Sequence, residues 1–326
     1  MIIRARAPLR LGLGGGGTDV SPYCDRFGGA VLNATIDSYA HTTIEETASN
    51  CTTFKATDLG DDPLVLHNAV YRRVVKEFGE PNGCNITTYC DAPPGSGLGT
   101  SSTVVVSLLK AFVEWLNLSL GEYEIASLAC DIERNDAGFS GGKQDQYAAT
   151  FGGVNFMEVS GDRVIVNPLR VKSCVLSELE SSIIMFNCGT SRSSAKIIDE
   201  QVSNIEADNQ QSLDAMHELK ADAYGMKECV LRGNISGLAA LMRKSWDAKK
   251  RAAHNITTPR IDAIHDTAMA AGALAGKVSG AGGGGVMTLL VDPAKRLDVI
   301  RALQTQPGHV MPCHLTKRGA EAWKIR

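Results

Sequence analysis

The stretch PPGSGLGTSS, residues 93–102, followed by TVVVSLLKAF, residues 103–112, decides the fold. Glycine stands at every second position over 95–99, and three hydroxyl side chains follow at Thr100, Ser101 and Ser102. Fixing a glycine costs more backbone entropy than fixing any other residue, so such a run resists regular structure. Just behind it Val105, Leu108, Leu109, Phe112 and Leu116 recur at the spacing of an amphipathic helix, which predicts a helix beginning at or just after Thr100. A helix start leaves N–H groups unpaired and carries a partial positive charge. A backbone stripped of side chains can wrap an anion there. The run Pro94, Gly95, Ser96, Gly97, Leu98, Gly99 and Thr100 is therefore expected to hold a phosphate, with Ser101 and Ser102 adding hydroxyl contacts to phosphate or metal. The plainer alternative is a glycine turn whose Ser and Thr cap a helix.

Two further glycine clusters compete for that role: LGLGGGGTD at 11–19 and VSGAGGGGVM at 278–287. None of the three is followed by the Gly-Lys-Ser/Thr of a Walker loop. The first contains Gly12, Gly14 and Gly17 in the GxGxxG spacing, with Asp37 20 residues beyond Gly17, so a dinucleotide-binding oxidoreductase is the runner-up. Two features count against it. The opening strand has Arg4, Arg6 and Arg10 opposite Ile3, Ala5, Leu9 and Leu11, whereas a first Rossmann strand is buried on both faces. The segment after Gly17 holds Pro22 and stops at Gly28-Gly29, leaving little room for a crossover helix.

Outward from these loops the chain has two textures. Up to about residue 165 short runs alternate apolar and polar (IIRARAPLRLGL, AVLNATIDSYAHTTIEE, NITTYCDA, VNFMEVSGDRVIV), the period-two signature of half-buried strands. From about 190 to 271 helical periodicity takes over; a glycine loop, a strand, a helix near 294–304 and a short end strand follow. The fold class is α+β, with domains expected at 1–165 and 166–326. At 326 residues and 44% hydrophobic composition the chain can bury a sizeable core. A net charge of −3 offers no global attraction to nucleic acid or an acidic membrane. No apolar stretch reaches the roughly 18 residues of a membrane span. Nine scattered cysteines without a CxxC pair fit reduced thiols and a cytoplasmic location.

The glycine-rich run at 93–102 resembles the central ATP-binding motif of the GHMP kinases, and the other two clusters match that family's N-terminal and C-terminal motifs in order. The resemblance covers essentially the whole chain. It implies a two-domain fold, with an N-terminal domain like ribosomal protein S5 and a C-terminal ferredoxin-like domain, and an ATP- and Mg²⁺-dependent phosphotransferase with an alcohol acceptor. Residues 8–13 and 17–19, with Gly141 to Tyr147 and Cys188 to Arg192, most resemble the members that phosphorylate the anomeric hydroxyl of D-glycero-D-manno-heptose 7-phosphate, on the way to nucleotide-activated heptose.

Carried onto this sequence, the resemblance implies Ser101 and Glu133 as metal ligands and Asp145 as the group that accepts or orients the acceptor's proton. Aspartate, with an ordinary pKa of about 3.9, is a weak base for an alcohol, so its contribution is expected mainly through orientation. Lys143 beside it would favour its charged form. Sugar hydroxyls are expected at Gly17, Thr18 and Asp19, with Arg10 in support. An acceptor that already carries a phosphate needs cations away from ATP, first Arg192, then Lys196 and Lys249. Gly282 and Gly283 in the third cluster are expected to close over the substrate. Another sugar kinase of this fold, for L-fucose, galactose or an N-acetylhexosamine, is the nearest rival reading. A non-catalytic sensor of ATP and sugar is less favoured, because both Glu133 and Asp145 are present. A homodimer is compatible with the sequence but not read from it.

Overall fold

A computed structural model describes residues 1–49, 51–56, 64–189 and 194–325, with nothing said of the side chain of Ser194. Along the chain run β1 (Ile2–Gly14), α1 (Tyr23–Phe27), β2 (Gly29–Glu46), β3 (Thr53–Ala56), α2 (Leu64–Phe78), β4 (Cys84–Cys90), α3 (Thr100–Leu116) and α4 (Glu122–Asp131). A π-helical turn, Ile132–Asp136, leads to α5 (Gln144–Phe151), β5 (Val154–Ser160), β6 (Arg163–Pro168), α6 (Ser173–Ser182) and β7 (Ile183–Asn187). Then come α7 (Ser194–Glu206), α8 (Gln210–Arg232), α9 (Ile235–Ala252), α10 (Pro259–Ala270), β8 (Ala273–Val278), β9 (Val286–Val291), α11 (Arg296–Leu303), β10 (His309–Met311) and β11 (Glu321–Ile325).

Two sheets organise these elements. A seven-stranded sheet has the order β11-β1-β2-β4-β3, with β5 pairing to β2 and β6 to β5. The long β2 makes this possible: its end from Ala40 pairs with β4, and its start, Gly29 to Ala34, pairs with β5. The second sheet is antiparallel, β10-β7-β9-β8. The expected α+β class is what the chain forms. The opening strand is not that of a Rossmann sheet, since β1 pairs antiparallel with β2, Ile3 opposite Ile44. The expected start of the 165-onward half falls inside β6, and the last strand, β11, returns to pair with β1.

Alternation decides which face of β1 is buried. Ala5, Ala7, Leu9 and Leu11 are buried in the core, while Arg4 is exposed and Arg6 half-buried. Arg10 shares this outward row but is buried, because Asp145 of α5 and the Gly97 carbonyl cover it. Helix α3 packs on β1 and β2, and Thr103 to Leu109 are buried without a break. An apolar stripe is therefore too narrow a description of α3. The turns behind its first residues are enclosed on all sides, which holds the direction of the helix start fixed. None of the nine cysteines is in a disulfide, and among the described residues no helix is long and apolar enough to cross a membrane.

Candidate active site

A cleft of about 220 Å³ lies where the three glycine clusters meet. The central loop reaches it through Gly95, Gly97 and Gly99 and the first residues of α3. Its intervening side chains turn inward: Leu98 is fully buried and Ser96 nearly so, whereas Pro94 is exposed and does not line the cleft. Gly97 has φ +75°, and a Cβ on it would stand 2.3 Å from the Ser279 carbonyl oxygen, so no other residue fits. The third cluster locks onto this loop, Val286 N–H donating to the Ser96 carbonyl at 2.8 Å. Gly280 and Ala281 reach the cleft wall, while Gly283 N–H donates to the Ile256 carbonyl and Gly282 packs on the same residue.

Gly99 is the N-cap of α3 in the left-handed conformation, φ 81°, and no side chain caps the helix. The first main-chain bond of α3 is Thr103 N–H to the Gly99 carbonyl. Among the described residues the N–H groups of Thr100, Ser101 and Ser102 have no acceptor. Those open donors face the cleft together with the positive end of the helix. The capping alternative fails here because the hydroxyls point elsewhere. Ser101 donates to Glu133 Oε1 and Ser102 to Glu133 Oε2, each at 2.6 Å.

Glu133 sits in the π-helical turn, which widens the helix at that point. It is buried; Gln146 Nε2 also donates to its Oε2, at 2.5 Å, and Arg134 lies 3.7 Å from its Oε1. Asp145, in the first turn of α5, accepts from Arg10 Nε at 2.7 Å and from Arg10 Nη2 at 2.8 Å. The third arm of Arg10, Nη1, donates to the Gly97 carbonyl. Arg10 thus ties β1, α5 and the central loop into one unit by a two-pronged ion pair. The Asp145 carboxylate comes to rest against Gly99, where a Cβ would stand 3.1 Å from Oδ2.

Lys143 does not play the part expected of it. Its ammonium donates to the Gly161 carbonyl and stands 3.5 Å from Asp162 Oδ1, and the cation beside Asp145 is Arg10. Arg10 in turn supports Asp145 rather than Asp19. Asp19 lines the cleft and is buried, its Oδ1 accepting from Gly17 N–H at 3.2 Å and its Oδ2 from Gln144 N–H at 2.9 Å. Thr18, fully buried and off the cleft, has its hydroxyl engaged with the Gly15 and Ala30 carbonyls. It shapes the turn that presents Asp19 and Gly17.

Of the expected phosphate cations, Arg192 lies outside the described residues. Lys196 is exposed on α7 and away from the cleft wall. Lys249, on the last turn of α9, is buried at the cleft and donates to the Gly16 carbonyl at 2.9 Å. Burial pulls its ammonium down to about 8, with Asp19 opposing the shift and Arg10 adding to it. Sequence reasoning missed Lys277, at the end of β8, which lines the cleft and donates to the Gly12 carbonyl at 2.8 Å. It also missed Arg134, Gln144 and Gln201 on the cleft wall. A lysine in an otherwise apolar strand, two residues ahead of Ser279-Gly280, is a signal that could have marked Lys277.

A cleft with free helix-start amides, a hydroxyl–carboxylate pair, an anchored aspartate and inward-facing cations is a site for moving a phosphoryl group onto an alcohol. The N-terminal GHMP kinase domain matches residues 65–153 and the C-terminal domain residues 226–309. The chain is 46% identical to the D-glycero-alpha-D-manno-heptose 7-phosphate kinase of Campylobacter jejuni, across 99% of both chains. It superposes, with a TM-score of 0.84 and 44% identity over 99% of each chain, on a D-glycero-D-manno-heptose 1-phosphate kinase of B. thetaiotaomicron. At 18% identity the galactokinase of Lactococcus lactis, in complex with galactose, shares the fold with a TM-score of 0.74, covering 99% of this chain and 95% of its own. This chain belongs to the GHMP kinases and is a phosphotransferase that uses ATP on an alcohol acceptor.

Proposed function

We propose that this kinase transfers the γ-phosphoryl group of ATP to the anomeric hydroxyl of D-glycero-D-manno-heptose 7-phosphate, giving ADP and the 1,7-bisphosphate for nucleotide-activated heptose synthesis. The observation that carries this reading is the end-to-end 46% identity to an enzyme named for that acceptor. The name of the B. thetaiotaomicron relative puts the phosphate at position 1, and both relatives agree on the heptose. Lys249 supports a phosphorylated acceptor, because an ammonium buried among so few anions gains by meeting one.

Within that reading each cluster has a task. The open amides at Thr100 to Ser102 receive the triphosphate, the central loop wrapping it from Gly95 to Gly99. A hard dication such as Mg²⁺ needs only one or two protein ligands beside the phosphates, and the Glu133 carboxylate with the Ser101 hydroxyl fits that need. When bound, the ion neutralises charge on the phosphates. Asp19 accepts hydrogen bonds from sugar hydroxyls. Lys249 holds the acceptor's phosphate, with Arg192 as a second proposed cation. Asp145, fixed by Arg10, orients the attacking hydroxyl and takes its proton as the new P–O bond forms. Phosphoryl transfer through a loose transition state needs such positioning more than covalent help. The domains are drawn at 1–165 and 166–326, with β11 counted structurally to the first sheet.

Screening heptose, heptose 7-phosphate, L-fucose, galactose and N-acetylhexosamines for ADP release tests the proposal, with phosphorus NMR locating the new ester. Preference for heptose 7-phosphate and a second phosphate at C1 are expected. A higher kcat/KM on any unphosphorylated sugar refutes it.

A further inference from the structure

Among the described residues four cations line the cleft, and they differ in what balances them: Arg134 lies 3.7 Å from Glu133 Oε1. Arg10 is paired with Asp145. Lys249 has Asp19 as a favourable neighbour. Among the described residues Lys277 has no carboxylate partner: its charged neighbours are Lys249 and Arg10, and its ammonium donates to the Gly12 carbonyl at 2.8 Å, with the Leu13 carbonyl at 3.5 Å. The part of its surface that stays open belongs to the cleft wall. Desolvation, joined by its two cationic neighbours, pulls it down to about 7, the lower of the two lysines. An ammonium set this deep among like charges burdens the ligand-free fold. A group that brings negative charge would relieve it.

Position decides which group. Gly12, whose carbonyl anchors Lys277, is two residues from Arg10 along β1, and a Cβ on it would point the same way as the Arg10 side chain, 3.4 Å from Nε2 of Gln144, the neighbour of Asp145. Beyond Lys277 the chain passes directly to Ser279 and Gly280, which touch Gly97 of the central loop. Lys249, in contrast, is anchored at Gly16, at the other end of the first cluster. Lys277 therefore stands at the Arg10 end of the first cluster, beside the strand end that meets the central loop leading into α3. We infer that Lys277 is a further catalytic residue, whose ammonium meets the phosphoryl group during its transfer from ATP to the acceptor alcohol.

In that step the acceptor oxygen bonds to the γ-phosphorus as the bond to the β–γ bridging oxygen breaks, and the electron pair leaves with ADP. The hydroxyl proton goes to Asp145. Lys277 keeps its proton and donates to the non-bridging oxygens, where charge gathers in the transition state. The inference rests on the proposed placement of the triphosphate at α3, but not on the identity of the sugar.

Steady-state kinetics and ligand-free thermal unfolding of Lys277→Met and Lys277→Arg test it. Wild-type turnover of heptose 7-phosphate is measured first; its failure removes the acceptor assignment alone, and the variants are then compared on whichever sugar the wild type phosphorylates. Lys277→Met should lower kcat by about 10²-fold or more with both KM values within about threefold, the pattern of a donor used mainly in the transition state. Lys277→Arg should regain at least a tenth of wild-type kcat. The ligand-free Tm of Lys277→Met should equal or exceed that of the wild type, which a structural role would not allow. A kcat within about threefold of wild type, a loss carried by the acceptor KM alone, or a lowered or absent folding transition in Lys277→Met overturns the inference.

Discussion

The first and central clusters are both rich in glycine and put it to opposite uses. At 12–17 the protein fills its own turn: Thr18 binds the Gly15 and Ala30 carbonyls, Asp19 takes the Gly17 N–H, and Lys249 sits on the Gly16 carbonyl. At 95–99 the turn runs into a helix whose first N–H groups have no acceptor among the described residues. Glycine content alone therefore does not make a phosphate site. Unspent donors at a rigid helix start do, and the first cluster instead places Asp19 and anchors two lysines.

Asp145 joins the two regions, held by Arg10 from β1 and lying against Gly99. Asp145→Asn keeps the shape and removes the base and one half of the ion pair. It should lower kcat by about 10²- to 10⁴-fold while the dissociation constant for ATP changes little, as rapid-quench and equilibrium binding would report. Near wild-type turnover would detach Asp145 from the chemistry.

Gly99→Ala probes the central loop. Its positive φ costs an alanine about 1–2 kcal/mol, and the new methyl meets the Asp145 carboxylate. The KM for ATP should rise about tenfold or more, by more than the KM for the acceptor does. A rise confined to the acceptor would reverse the roles of the two clusters.

A smaller effect is expected from pH at the Lys249 end. Its ammonium is charged below about 8 in the ligand-free protein and loses its proton above it. The KM for the phosphorylated acceptor should therefore climb several-fold from pH 7.5 to 9, and Lys249→Met should flatten that climb. Smallest of all is Gly16→Ala: no heavy atom lies within 4 Å of the added methyl, and both KM values should stay within about twofold. A tenfold rise in the ATP KM from this change would break the contrast between the clusters.

Much of this was legible in local pattern. The strands β1, β2, β4, β5 and β6 follow runs whose alternation marks them, and the start of α3 at Thr100 falls where glycine gives way to the apolar spacing. The pairing of β11 with β1 was not legible, since a strand's partner more than 300 residues away leaves no trace in its own period. Side-chain partnership failed in the same way. Lys143 is two residues from Asp145 in sequence, yet the N-terminus of α5 turns it toward Gly161, while Arg10, from a strand 135 residues earlier, takes the carboxylate. Glu133 and Ser101 came together as expected, through a π-turn that no propensity announces. Lys277 passed unmarked because its glycine cluster drew the reading to the loop rather than to the strand feeding it.

The contact between nucleotide and helix start is tested most directly by a crystal structure with Mg²⁺ and the non-hydrolysable β,γ-imido analogue of ATP. The account predicts triphosphate oxygens within hydrogen-bond distance of the N–H groups of Thr100, Ser101 and Ser102. A triphosphate lying against Gly14 to Gly17, with those three amides still unengaged, would contradict it.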